Sequence, residues 1–535
     1  MTIKLSSLLK LSVAGSILLT VGACKATDKG QGALKSESVA ALNLSKSETS
    51  VFSKYFTTAS CDVDELEALG ALAGLGMGES GDNGVSFDAR EVKDGVVTYR
   101  GLTQRVDGSD DVAFSAGTVV FHCPKMSDDS PSFNRLDVTD IFVRDERDDV
   151  EFKAETLNIA NPTADAARAI VENMTRPNSS AVKDIGFGAV SITGVKVTSS
   201  EMNGTLDAIS WGETRNETGQ GIADLTVEDI NLVIQGQQGA GEMTIDFDGM
   251  SARNLNIGVK NNTAKGLSPD GVVGSLFDNL NAFQKPYDEV VIEPLKVNSE
   301  AFSLNFAGLE GKTTEKGKVI TTRANLKPTV MELKPALGDN PAFRQNYEIL
   351  KSLGMETITF SGSSVSTLDS ADDSASVSDG LFVIDDVLRL NFEYEAEGVG
   401  EMLQKVQSLQ VNGSNANILE VYDTLKLRGF RMTLEDNSIV DKGLTVASQM
   451  TGQSEKSLKL MVTGAVFLAA SQAKNELEAD VYSKSMEAFA NFVKKGGTLT
   501  LEANPPEPFS FGPLLSGKAE DMDPAALGFS ASQAN

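Results

Sequence analysis

Apolar and polar residues alternate one for one along much of the chain. In "GEMTIDFDG", Met243, Ile245 and Phe247 fall on one side of an extended backbone, with Thr244, Asp246 and Asp248 on the other. "RNLNIGVK" sets Leu255, Ile257 and Val259 against Asn254, Asn256 and Gly258, and "DVLRLNFEYE" sets Leu388, Leu390, Phe392 and Tyr394 against Arg389, Asn391 and Glu393. "GFRMTLED" and "GTLTLEA" repeat the scheme. A period of two belongs to a strand with one dry and one wet face, so these segments predict antiparallel sheet. The continuous Val/Ile/Leu runs of a buried parallel sheet are few. A loose phrase recurs in "GVKVTSSE", "VEDINLVIQGQ", "TDIFVRDERDD" and "RGFRMTLEDNS", each ending in an acidic or Asn-rich turn. Its spacing is irregular, which predicts a long meander and not a fixed-period solenoid. Asp107-Gly108 and Asn203-Gly204 read as turns.

Helical spacing interrupts the strands at a few places. Asn161-Pro162, Ser268-Pro269 and Asn340-Pro341 each open a segment in the manner of a cap followed by proline. Leu458, Met461, Val462, Ala465 and Leu468 follow helical spacing, as do Tyr482, Met486, Phe489 and Val493. The expected fold class is therefore mainly β with inserted helices (α+β): long antiparallel, curved sheets with a helical hairpin near the C-terminus. The expected divisions are a signal peptide at 1–23, a flexible tether at 24–50, a β-rich region at 51–265, a middle α+β region at 266–395 and a C-terminal α+β region at 396–535.

The first two dozen residues carry an address. Lys4 and Lys10 precede an apolar run from Leu11 to Val21, too short to span a membrane and of the length of a secretory core. Val21-Gly22-Ala23-Cys24 then resembles the lipobox of bacterial lipoproteins. That resemblance implies cleavage before Cys24 and a diacylglycerol on its thiol. The alternative is a soluble secreted protein cut by the ordinary peptidase. Two or three acyl chains at about 0.8 kcal/mol per buried methylene hold a protein on a membrane, which makes the N-terminal lipid the membrane partner. Lys25 is not the aspartate that retains enterobacterial lipoproteins at the inner membrane, so the outer membrane, on its periplasmic side, is the expected location.

Of three cysteines, Cys61 and Cys123 remain once Cys24 is lipidated, and in an exported chain two leftover thiols are expected to pair. With 47 basic and 75 acidic residues the net charge is −28, and removal of Lys4 and Lys10 makes it −30. Such a surface repels phosphate backbones, so no nucleic-acid partner is expected. A hydrophobic content of 41% with 25 Phe suffices for real cores.

The search for chemistry is mostly negative. His122 is the single histidine, no G-x-S-x-G elbow surrounds a serine, and neither a P-loop nor a strand-linked G-x-G-x-x-G is present, so no cofactor is expected. "DGSDD" and "DSADDSASVSDG" do not fit EF-hand spacing and read as solvated acidic turns, and no metal site is expected. Carboxylate pairs are too numerous to choose among.

The tail from "RGFRMTLEDNSIVDKGL" through "AFANFVKKGGTLTLEANPPEPFSFGPLL" to "DPAALGF" resembles uncharacterised exported proteins of alphaproteobacteria. The alternating strand phrases are similar in style to the AsmA-like, groove-forming periplasmic proteins, a resemblance that implies a curved sheet with an apolar face for acyl chains. Ile245, Phe247, Leu255 and Ile257 are the candidate apolar face. The expected function is a non-enzymatic envelope lipoprotein, a scaffold or a binder of lipid or of an envelope protein. The alternative is a carboxylate-dependent hydrolase acting on an envelope polymer.

Overall fold

Strands make up most of the described residues, as the alternation predicts. A computed structural model describes residues 42, 44, 49–57, 61–75, 85–105, 112–127, 130–145, 150–175, 186–215, 221–236, 241–255, 285–339, 343–402, 424–461, 476–510 and 528–534. Among these, residues 44–255 with 286–305 form one compact unit and 306–534 another.

The N-terminal unit is an antiparallel meander. Its strands are β1 (Val85–Ser86), β2 (Ala89–Lys93), β3 (Val96–Arg105), β4 (Val112–His122), a small side ribbon of β5 (Lys125–Ser127) and β6 (Ser130–Ser132), then β7 (Arg135–Asp145), β8 (Val150–Ala160), β9 (Ala189–Thr198), β10 (Met202–Arg215), β11 (Gly221–Ile234) and β12 (Met243–Leu255). From β3 onward each strand of the main sheet pairs with the next, and β12 is flanked by β13 (Glu289–Ile292) and β14 (Leu295–Asn298) end to end. β15 (Phe302–Phe306) follows a turn closed by Ser299 N–H donating to Phe302 O at 2.9 Å. The β2–β3 hairpin turns on Asp94-Gly95, both at positive φ (51° and 71°), the two-residue turn whose twist suits adjoining strands. α1 (Glu65–Ala71) starts where the Asp64 carboxylate accepts the Glu67 N–H at 2.9 Å, and α2 (Ala164–Thr175) lies where Asn161-Pro162 announces it.

Side chains of one sheet face build a single core. Val97, Tyr99, Val119, Phe121, Leu136, Val138, Val190 and Val195 belong to it, closed by Ala68, Leu72 and Leu75 from the α1 region and Ala167 and Val171 from α2. On each long strand the apolar positions advance by two, but once by three: Val97, Tyr99, then Leu102; Leu136, Val138, then Ile141; Val190, Ile192, then Val195. The extra residue falls at one height across eight strands, with Gly101, Gly117, Asp140, Glu155, Gly194, Asp207, Asp229 and Asp248 lying opposite one another in turn. On alternate strands it has positive φ: Gly101 (62°), Asp140 (53°), Gly194 (61°) and Asp229 (42°). This shared step returns the apolar side chains to one face after the pleat loses phase. A Cβ at Gly194 would stand 2.3 Å from Glu155 Cγ, so neighbouring glycines and acids along the seam share space.

The turn expected at Asn203-Gly204 is displaced. Both residues lie inside β10, opposite Thr198 and Val197, and the chain reverses at Ser199–Met202. There Ser199 N–H donates to Met202 O at 2.8 Å and Ser199 Oγ accepts the Met202 N–H at 3.0 Å, so a serine hydroxyl makes the turn. Gly204 instead lets Leu232 approach, whose Cδ2 would lie 2.4 Å from an added Cβ. Asp107-Gly108 and the segment opened by Ser268-Pro269 lie outside the described residues.

The C-terminal unit is a second antiparallel meander: β16 (Leu309–Lys316), β17 (Val319–Leu333), β18 (Thr357–Asp369), β19 (Ser374–Ile384), β20 (Leu388–Glu397), β21 (Lys426–Asp436), β22 (Gly497–Ala503), a short β23 (Phe509–Ser510) beside β21, and β24 (Phe529–Ala534) on β22. α3 (Ala336–Asp339) and α4 (Arg344–Ser352) connect β17 to β18, while α5 (Ile439–Thr451) and α6 (Glu476–Lys495) stand between β21 and β22. α6 lays Ala488 and Phe492 on Leu499, with Leu434, Leu501 and Ala531 around them. The helix expected over Leu458–Leu468 is helical from 455 to 461, and its remainder lies outside the described residues. α5 has no counterpart in the sequence reading. It forms because Asp436 Oδ1 accepts the N–H groups of Ser438 and Val440 at 3.0 and 3.2 Å, and it stops at Gly452 with φ 71°. Among the described residues no helix is long and apolar enough to cross a membrane.

Candidate functional site

Three of the four candidate apolar residues fall on one strand. Ile245, Phe247 and Leu255 all belong to β12, so "GEMTIDFDG" and the start of "RNLNIGVK" are a single element whose phase resets at Gly249 and Asn254, both at positive φ. Ile245 lies between Leu232 and Val297, Phe247 between Ile230 and Leu295, and Leu255 opposite Ile222. All of these side chains are half-buried. The same sheet face is fully buried at Tyr99, Phe121 and Leu136, each 0% exposed. Within this unit the dry face therefore runs from a fully buried half into a half-buried one. Ile257 and Cys24 lie outside the described residues. In the C-terminal unit Leu390 opposite Leu434, Phe392 opposite Met432 and Tyr394 opposite Phe430 form a comparable half-buried patch.

A strap binds the start of the N-terminal unit to its sheet. A 3-10 turn over Thr49–Tyr55 buries Phe52 (2% exposed). Tyr55 Oη donates to Asp224 Oδ2 at 2.7 Å, and Lys54 Nζ lies 2.9 Å from the same oxygen. Burial acts to raise the Asp224 carboxyl, but the hydrogen bonds from Tyr55 and Lys54 outweigh it and hold the group below its ordinary pKa. Arg135 Nη1 donates to Phe56 O. Cys61 and Cys123 are joined in a disulfide, Cα–Cα 5.4 Å, which links the residues before α1 to the end of β4.

The single histidine sits beside that disulfide. His122 Nε2 and Arg135 Nε meet Asp137 at 2.8 and 2.7 Å, and the two outweigh the burial that would raise its carboxyl, so Asp137 titrates below its ordinary value. His122, Cys123, Arg135, Asn134, Asn161, Tyr55 and Thr57 line a small hollow. An acid–base pair of this kind needs a nucleophile to do covalent chemistry. The Tyr55 hydroxyl is committed to Asp224, and His122 Nδ1 is buried with no hydrogen-bond partner among the described residues. The cluster reads as an anchor for the strap. Among the described residues no group of His, Cys, Asp or Glu is arranged to hold a metal.

Two carboxylate arrays escape sequence reading because neither follows a local spacing. One is the seam, where Asp207, Asp229 and Asp248 face one another on consecutive strands. The other is Glu393, whose carboxyl is raised by burial and by Asp379 and Glu502 against the lowering effect of Arg431. Arg431 and Glu502 are exposed, so this ladder belongs to the wet face.

A family model described only as an uncharacterized protein matches residues 381–534, which is β19 (from Leu381) through β24. No curated protein matches the chain.

Proposed function

We propose that this chain is a non-enzymatic, lipid-anchored protein of the cell envelope that offers a dry sheet face to acyl chains. The observation that carries the reading is the change along one face of the N-terminal unit, from Tyr99 and Phe121 under helices to half-buried Ile230, Leu232, Ile245 and Phe247. An apolar surface of that kind is what a lipid or an apolar partner covers. The anchor is Cys24 after removal of 1–23, with the outer membrane as the location.

The chain purified without detergent should carry co-extracted lipid, read by mass spectrometry, and Phe247→Asp should lose it while circular dichroism stays unchanged. Absence of lipid, or equal lipid in a folded Phe247→Asp chain, rules the carrier reading out. Cys24→Ala should move the product from the detergent phase to the aqueous phase. Wild-type protein found wholly in the soluble periplasmic fraction rules out the anchor.

A further inference from the structure

A trough crosses the reverse face of the N-terminal sheet. Strand register sets Arg135, Ala160, Ala189, Gly212 and Asp224 side by side on β7 to β11. Their chain neighbours Leu136, Ile159 and Val190 belong to the core and Trp211 packs against it, so alternation turns the row to the opposite face. Three consecutive strands thus present nothing larger than a methyl group, between a guanidinium and a carboxylate. The strap lies along this row. Phe56 O meets Arg135, the Tyr55 ring fills the space beside Gly212, and Tyr55 Oη and Lys54 Nζ meet Asp224. None of these contacts uses a core side chain, and the disulfide at Cys61 ties the chain to the sheet independently of them. Two residues along the same face from Asp224, Thr226 is 1% exposed and its Oγ1 has no hydrogen-bond partner among the described residues. The seated strap leaves that hydroxyl unmet, and a better-fitted segment would bond it.

We infer that this trough is a binding site for an extended peptide and that residues 49–57 are its resident, displaceable occupant. What the strap supplies defines the class of partner: an aromatic ring that fits beside a glycine, a cation or phenol for Asp224, and a main-chain carbonyl for Arg135. A segment of another protein with a sequence like Lys-Tyr-Phe meets these needs, and its positive charge suits a chain of net charge −28. While seated, the strap competes at the roughly millimolar effective concentration of a short intramolecular connection, so it excludes weaker segments. Its opening is a local event, because the core of the unit lies on the other face. The site is also separate from the acyl-binding face proposed above and does not depend on it.

Fluorescence anisotropy of a labelled peptide of residues 49–57, titrated with the full chain, tests this. The double variant Phe52→Ser, Tyr55→Ser disarms the resident strap and should bind the peptide saturably, at least about tenfold more tightly than wild type, whose trough is filled. Adding Gly212→Ala should remove that gain, because a methyl group then stands where the tyrosine ring sits. Two results overturn the site: no saturable binding to the double variant shown by circular dichroism to be folded, or equal binding once Gly212→Ala is added. Hydrogen exchange of the wild type decides the matter if the double variant does not fold. The Phe56 N–H, which donates to Ser53 O at 3.2 Å, should exchange through a local opening insensitive to denaturant, and exchange only through global unfolding overturns a displaceable strap.

Discussion

Tyr55 occupies the space that a side chain at Gly212 would need: an added Cβ would lie 2.3 Å from the tyrosine Cε2. Gly212 itself is ordinary strand, paired with Ala189 and Asp224, so only the strap requires it to be glycine. Gly212→Ala should lift Tyr55 from Asp224 and destabilise the N-terminal unit by about 1–3 kcal/mol, as overpacking does. Chemical denaturation of the variant beside Tyr55→Phe, which keeps the ring and loses only a hydrogen bond worth about 1 kcal/mol, separates the two contributions.

Acid should loosen the same strap. Asp224 and Asp137 have folded pKa values below the ordinary carboxylate value, so each contributes stability above that ordinary value and loses it as pH falls through the lowered one. Asp224→Asn should cost stability at neutral pH, and the gap to wild type should close below about pH 4. A gap that stays constant from neutral to acid pH would contradict the assignment.

The disulfide closes a separation of 62 residues. In the chain-entropy model a loop of that size is worth about 4 kcal/mol. The double variant Cys61→Ser, Cys123→Ser should lose about that much in denaturant titration, and dithiothreitol should reproduce the loss in wild type while leaving the variant unchanged.

Along the seam, Asp229 faces Asp207 on one side and Asp248 on the other. Like charges opposed across strands are unfavourable by a few tenths of a kcal/mol to about 1. Asp229→Asn keeps a residue that tolerates the left-handed backbone at φ 42° and removes the repulsion. Thermal melting at low salt should show stabilisation, shrinking as salt is added.

The strands were legible because each is dry on one side. Leu388, Leu390, Phe392 and Tyr394 alternate through β20 without a fault, and Met243, Ile245 and Phe247 mark half of β12. The seam was not, because a step of three between Val138 and Ile141 reads as a broken pattern in one strand and gains meaning only when neighbouring strands break at the same height. α5 was hidden for a different reason: its start depends on the Asp436 side chain, and Asp436 also ends β21, so strand and helix share a residue. Ile245, Phe247 and Leu255 share β12, but whether a face is covered depends on what folds over it. Alternation says nothing of that. The strap depends on Tyr55 meeting Asp224, 169 residues away, a contact with no local trace.

If the chain is held by its N-terminal end, as proposed above, the disulfide also decides how a pull is carried. Tension entering at Thr49 would first peel Phe52, Tyr55 and Phe56 from the sheet, one side chain after another. At Cys61 the force passes through the covalent link to Cys123, and the residues between, with β1 to β4 among them, lie outside the covalent path. At about 3.4 Å per extended residue, roughly 200 Å of chain is withheld from extension. The N-terminal unit can thus give up a short leader under load while the first strands of its core stay out of the line of force.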